Sequence, residues 1–348
     1  MGSACSEVDN EHNQTIKNDT TTSAEEIPSI KIILLGSKGG GKTTIWEHLK
    51  LLYCGGFQQE ERESILFNIK NDLIFNMKYI IESGQEKDHF YENELQEYAR
   101  DILDIIFVDE ALTPEIAHKI KALWDDPFTK IEYQNNIKFN LNDYANFFFE
   151  KSEIIAQDDY VLTDEDVLKS YYSNGAIALN YLTIENKIIS ARLLDPDRRR
   201  LKECRLLRHT LETSKFFIFV VSLTDFCYFI DDDETTIRIS EDSINMFENY
   251  ANSDRFILKP ILLIFNKKDL FERRLNDFMD EFQKAYPEFK GDIKNTNECI
   301  EYIKYCYLSK LSKDRKQEAW VETLIISAFD EKNCQELYQI IVSKILSS

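Results

Sequence analysis

Gly36-Ser37-Lys38-Gly39-Gly40-Gly41-Lys42-Thr43-Thr44 directly follows the apolar run Ile30-Lys31-Ile32-Ile33-Leu34-Leu35. Glycines let a backbone turn its N–H groups toward an anion. A lysine reaches the outer phosphates of a nucleotide, and a threonine hydroxyl is a hard oxygen ligand for magnesium. Gly39, Gly40, Gly41, Lys42, Thr43 and Thr44 are therefore the expected cradle of a nucleoside phosphate, with Thr43 as a metal ligand. This chemistry needs a strand before the loop and a helix after it. The apolar run supplies the first and the pattern Ile45-Trp46-Glu47-His48-Leu49-Lys50-Leu51-Leu52 the second. The positive end of that helix dipole would face the same anion.

A second strand-like run, Pro260-Ile261-Leu262-Leu263-Ile264-Phe265, ends in Asn266-Lys267-Lys268-Asp269. A desolvated carboxylate at Asp269 would accept hydrogen bonds from the two N–H donors on the guanine edge. Adenine lacks that pair and would be rejected. The Lys267 stem is expected to lie along the loop and the base. An Asn-Lys-x-Asp sequence after a strand resembles the base-reading loop of guanine-nucleotide switches. A third run, Thr323-Leu324-Ile325-Ile326, leads into Ser327-Ala328-Phe329. It resembles the backbone loop that contacts the guanine carbonyl in the same class, which adds Ala328 to Asn266, Lys267 and Asp269 as nucleotide-binding residues.

The elements that must position these loops alternate between strand and helix. Phe216 to Ser222 reads as a buried strand, and Gly175–Ile184 with Lys187–Asp195 as a hairpin turning at Glu185-Asn186. Helices are expected over 233–252, opened by the acidic run Asp231-Asp232-Asp233-Glu234, over Leu275–Ala285 and over Cys334–Leu346. Such alternation implies an α/β fold with a doubly wound, mainly parallel sheet, its ligand at the carboxyl ends of the strands. Between the phosphate loop and the hairpin the pattern is helical and nearly free of alternation. Glu60–Met77 spaces its apolar residues by three and four. Segments over 92–109, 113–124 and 143–156 follow, then a short helix capped by Thr163 with Asp166. The expected organisation is a tail over 1–29, a nucleotide-binding domain from 30–57 and 169–348, and an all-helical insert over 58–168.

A net charge of −20 argues against nucleic acid as a main partner. The seven cysteines are scattered without a Cys-x-x-Cys pair, which favours reduced intracellular thiols over disulfides or a zinc site. Met1-Gly2-Ser3-Ala4-Cys5-Ser6 matches the N-myristoylation pattern at Gly2, with Cys5 placed for palmitoylation. Two acyl chains hold a protein stably on a membrane where one does so only marginally.

Over residues 30 to 345 the chain resembles the α subunits of heterotrimeric G proteins. The resemblance rests on Gly56-Phe57-Gln58-Gln59-Glu60-Glu61-Arg62, Ile120-Lys121-Ala122-Leu123-Trp124 and Tyr160 to Leu168. It also rests on Leu223-Thr224-Asp225-Phe226, Phe265 to Phe271, Tyr286-Pro287-Glu288-Phe289 and the acylated start. It implies a Ras-like P-loop GTPase domain carrying an inserted helical domain, GDP or GTP bound with magnesium, and a slow GTPase timing a signal. It further implies a βγ dimer and a seven-helix receptor as partners, and a place on the cytoplasmic face of the plasma membrane.

The departures from this family gather at the hydrolysis machinery. Tyr171 stands where the family has a charge-stabilising arginine, and Asn174 where it has a magnesium-ligating threonine. Asp195-Pro196-Asp197-Arg198-Arg199 replaces Asp-x-Gly-Gly-Gln: Asp195 is retained, and Arg199 takes the place of the glutamine that orients water. Arginine has no acceptor for that task. Gly39 stands where the family has the acidic partner of the lost arginine. Two readings stay open, a membrane-attached switch with weak hydrolysis and a nucleotide-holding scaffold that sequesters partners.

Overall fold

The computed structural model describes residues 29–87, 91–106, 112–135, 141, 143–170, 177–184, 187–194, 213–232, 235–254, 256–318 and 320–346. The acylation residues Gly2 and Cys5, and the switch residues Tyr171, Asn174, Asp195, Arg198 and Arg199, lie outside the described residues.

Six strands form one sheet in the order β2-β3-β1-β4-β7-β8. These are β1 (Ser29–Gly36), β2 (Ile177–Ile184), β3 (Lys187–Leu194), β4 (Phe216–Ser222), β7 (Ile261–Asn266) and β8 (Val321–Ile325). β2 pairs antiparallel with β3, and every other pairing in the sheet is parallel. β1 lies between β3 and β4, so the direction of winding reverses at its carboxyl end. In doubly wound sheets that reversal opens a crevice for ligand.

Period-two alternation assigns the strand residues to two cores. Ile33 and Leu35 share one face with Phe217, Phe219, Val221, Leu263 and Phe265, while Ile32 and Leu34 share the other with Phe216, Ile218, Val220, Leu262 and Ile264. Both faces are buried, which is why these strands read as continuous apolar runs. The first face is covered by α9 (Ile239–Ala251), α10 (Lys268–Asp277), α11 (Met279–Ala285) and α12 (Thr296–Ser309). The second is covered by α1 (Lys42–Tyr53) and α14 (Glu331–Leu346). The short α13 (Lys313–Glu318) precedes β8 and buries Arg315, whose guanidinium donates to the carbonyls of Phe256 and Lys259.

The segment between α1 and β2 is all helix where it is described. It comprises α2 (Gln59–Gln85), α3 (Asn93–Asp104), α4 (Pro114–Asp125), α5 (Pro127–Gln134), α6 (Ala145–Glu150), α7 (Ser152–Ile155) and α8 (Asp164–Lys169). Ile65, Ile69, Leu73, Met77 and Ile80 of α2 form its apolar seam against Ile102, Ile120, Leu123, Trp124, Phe149 and Val167. Thr163 and Asp166 cap α8 reciprocally: the Asp166 N–H donates to Thr163 Oγ1 at 3.2 Å and the Thr163 N–H to Asp166 Oδ2 at 2.8 Å. The fold expected from the sequence, a doubly wound sheet with an all-helical insert, is the fold found.

Three local expectations are corrected. The acidic run does not open a helix: Phe229–Asp232 (β5) and Thr235–Arg238 (β6) pair antiparallel, and α9 starts only at Ile239. Thr235, Thr236 and Ile237 are β-branched, and the Arg238 guanidinium lies 4.4 Å from the centroid of the Phe229 ring across the pair. The helix expected over 275–285 is two helices broken at Phe278, whose backbone leaves the helical region (φ −133°, ψ 44°). The helix expected over 143–156 is likewise two short helices, with Asp143 and Tyr144 in a turn before them.

Glu47 is buried on α1, four residues past Thr43. Burial, only partly opposed by Lys50, pushes its carboxyl from 4.5 up to about 8. The folded chain thus binds this proton more tightly than the unfolded one, and stability falls as pH rises through the window from 4.5 to about 8. In Glu47→Gln that loss is removed. Melting temperatures of variant and parent should therefore diverge in the variant's favour across the window; a difference that does not change with pH would sink this account.

Candidate nucleotide site

Among the described residues, the loops that carry the candidate residues gather at the carboxyl ends of strands. Gly36 closes β1, Asn266 closes β7, and Ala328 follows β8. The phosphate loop bends between β1 and α1, where Gly40 N–H donates to the Ser37 carbonyl at 3.1 Å and Ile45 N–H to the Gly41 carbonyl at 2.9 Å. Gly41 is left-handed (φ 94°), and a Cβ there would stand 2.1 Å from Asn266 Nδ2. Only glycine allows the two loops to approach this closely. Lys42 is buried, and its ammonium donates to the carbonyls of Gly36 at 3.0 Å and Ser37 at 2.8 Å. The cation is thus folded against the loop that precedes it. Thr43 and Thr44 are half-buried in the first turn of α1.

Asn266 joins the loops. Its Nδ2 donates to the Gly40 carbonyl at 3.0 Å, and its Oδ1 accepts the Ala328 N–H at 2.9 Å. One buried amide thereby ties the phosphate loop to both loops expected to read the base. Lys267 is left-handed (φ 65°, ψ 34°), which turns the chain sharply into α10 and brings Asp269 round to the exposed side. The Ala328 carbonyl accepts from His48 Nδ1 at 2.7 Å and from the Cys334 thiol at 3.4 Å, fixing this loop to α1 and α14.

Beneath the phosphate loop the Ser37 hydroxyl donates to Asp225 Oδ2 at 2.8 Å. The other oxygen, Oδ1, is buried with no partner among the described residues. Burial pushes the Asp225 carboxyl up to about 6, against the pull of Lys267 and the Ser37 hydroxyl.

The helical insert reaches the same place. Lys267 Nζ pairs with Asp143 Oδ2 at 2.5 Å, and the Tyr228 hydroxyl donates to Asp143 Oδ1 at 2.9 Å. Burial raises the Asp143 carboxyl, but Lys267 and Arg274 outweigh it and hold the group below the usual carboxylate range. Arg274 also donates to the Gln134 carbonyl at 3.1 Å, and the Tyr144 hydroxyl donates to Asp269 Oδ2 at 2.8 Å.

The structure therefore brings together Gly39, Gly40, Gly41, Lys42, Thr43, Thr44, Asn266, Lys267, Asp269 and Ala328. Sequence reasoning missed Asp143, Tyr144, Tyr228, Asp225 and His48. Asp225 lies in the segment Leu223-Thr224-Asp225-Phe226, whose residue types alone assign it no role; the other four belong to no motif, and Asp143 reads as an ordinary helix start. The sole hint was a chemical one, an acid and a phenol side by side just ahead of the aromatic run Phe147-Phe148-Phe149.

Asn266→Ala would strand the Gly40 carbonyl and the Ala328 N–H, and each buried unpaired group costs about 1–3 kcal/mol. The variant should melt several degrees lower than the parent chain and lose bound nucleotide. An unchanged melting temperature would show that the amide is not the joint between these loops.

A family model described as G-protein alpha subunit matches residues 6–345. The chain is 28% identical over 288 residues to the guanine nucleotide-binding protein subunit alpha-1 of Trichomonas vaginalis, covering 82% of this chain and 70% of that one. It is 29% identical over 294 residues to the G-protein complex alpha subunit gpaA of Aspergillus fumigatus, covering 83% and 80%. A guanine nucleotide-binding protein subunit alpha of Emericella nidulans is 28% identical over the same shares. Family match and fold agree along nearly the whole chain: it belongs to the G-protein alpha subunit family.

Proposed function

We propose that this chain is a guanine nucleotide-binding α subunit that holds GDP or GTP with magnesium in G-protein signalling, and that it hydrolyses GTP very slowly. The observation that carries the reading is the Asn266 amide, which draws phosphate loop and base-reading loops to one point. Backbone N–H groups of Gly39 to Lys42 would meet the phosphates, with the Lys42 ammonium moving from its carbonyls onto the outer ones. Asp269 would read the guanine edge. The hydroxyl of Thr43 is a hard oxygen beside Lys42 and fits magnesium, which would neutralise phosphate charge. Asn174, at the place of the family's magnesium-ligating threonine, would offer its carbonyl oxygen to the metal, and Asp195 would hold it through water. Gly2 and Cys5 support acylation and attachment to the cytoplasmic face of the plasma membrane, where a βγ dimer and a receptor are the partners the family suggests.

The slow turnover follows from Tyr171 and Arg199. Family members with the arginine in cis turn over at about 10⁻² s⁻¹, and an arginine of this kind is worth about 10³-fold or more. Single-turnover hydrolysis, on protein whose bound nucleotide is identified by mass spectrometry, should run at least about a hundredfold below that rate. Lys42→Ala should abolish nucleotide retention. Hydrolysis at the ordinary family rate would refute the role given to Tyr171 and Arg199. Retention with no hydrolysis at all favours the nucleotide-holding scaffold, for which the same two residues are the motive.

The base assignment has its own test. Asp269→Asn exchanges an acceptor for a donor, so GDP affinity should fall at least about 10²-fold while xanthosine diphosphate gains. Unaltered preference would remove Asp269 from the site.

A further inference from the structure

Tyr144 lies in the turn between α5 and α6 and touches both loops assigned to the base. Its hydroxyl donates to Asp269 Oδ2 at 2.8 Å, and its ring meets Phe329 edge-on with centroids 4.6 Å apart. Asp269 follows β7 and Phe329 follows β8, so one side chain from the helical insert spans the two walls. The turn that carries it is firmly held. Its neighbour Asp143 is bound by Lys267 at 2.5 Å and by the Tyr228 hydroxyl at 2.9 Å, and the Tyr133 hydroxyl donates to the Asp143 carbonyl at 2.6 Å. Burial and the adjacent Asp269 carboxylate both push the Tyr144 phenol well above its ordinary range, so it stays a donor.

A carboxylate that reads guanine uses both oxygens, one for each N–H of the base edge. In this chain one of those oxygens already accepts an O–H, a donor of the same kind. We propose that Tyr144 is a gate on the guanine site: its hydroxyl competes with the base for Asp269 Oδ2, and a guanine nucleotide must displace it to be read. The gate rests on the assignment of Asp269 as the guanine reader. It makes the apparent affinity the product of the intrinsic affinity and the fraction of molecules in which Tyr144 has left the carboxylate. The insert thus sets the association rate through a single phenol.

The test uses the full-length chain, freed of nucleotide, with a fluorescent GDP analogue followed by stopped flow. Tyr144→Phe removes the hydroxyl and keeps the ring against Phe329. It should raise the association rate and tighten binding about tenfold, with the dissociation rate unchanged. Tyr144→Leu removes the ring contact as well and should gain at least as much, which guards against a change peculiar to one variant. Equal or weaker binding in Tyr144→Phe, or a faster dissociation rate that accounts for the whole change, overturns the gate and makes the phenol a bystander or a positioning group. If the parent and both variants all fail to take up GDP, the guanine reading falls and the gate falls with it.

Discussion

The Asn266 amide is the constraint on which the rest of this site depends. It is buried, and its NH2 group and its carbonyl oxygen each find a partner, on two loops that are far apart in sequence. An amide in that position fixes the distance between the phosphate loop and the loop after β8 within the tolerance of two hydrogen bonds. The left-handed Gly41 exists to let it in, and the left-handed Lys267 turns the chain away behind it. The parallel sheet supplies the platform: β1 and β7 both flank β4, so their carboxyl ends open on the same side.

Around this joint the electrostatics are local. The chain carries −20 overall, yet Lys42 and Lys267 stand at the centre of the site, each tied to oxygen atoms of the protein itself. Lys267 is shared between the base-reading turn and Asp143 of the insert. That makes the lysine as much a fastener between layers as a wall for a base. An ion pair with both partners largely withdrawn from water is costly to break by removing one of them, because the other is left buried and charged.

Much of this was legible in the sequence, for a physical reason. Phosphate loops and base-reading turns are built from local backbone geometry, so Gly41, Lys42 and Asn266 announce themselves by type and spacing. Strands buried on both faces read as uninterrupted apolar runs, and β4 was placed to the residue. What could not be read depended on the partners that residues meet in the fold rather than on their types. The hairpin of β5 and β6 looked like a charged helix start until the pairing of Asp231 with Thr236 gave those residues a partner strand. The break at Phe278 and the turn at Asp143-Tyr144 interrupt helical periodicity because other elements hold those residues. Tyr144 carries no more than a chemical hint in the sequence, since its meaning lies in Asp269, which follows it by 125 residues.

The placement of the insert has a consequence for how the chain reaches this fold. β1 finds its partner β3 only across the whole stretch from 37 to 186, and the cost of closing a loop rises with its length. Where it is described before β2, that stretch is built of helices, whose backbone hydrogen bonds are local and form early. A compact insert core would bring the end of β1 at Gly36 close to the start of β2 at Ile177, which lies at the Leu194 end of β3, before the central pairing begins, turning a long closure into a short one. The helices that seal the site in the finished molecule would then also act as an internal splint while the sheet is assembled.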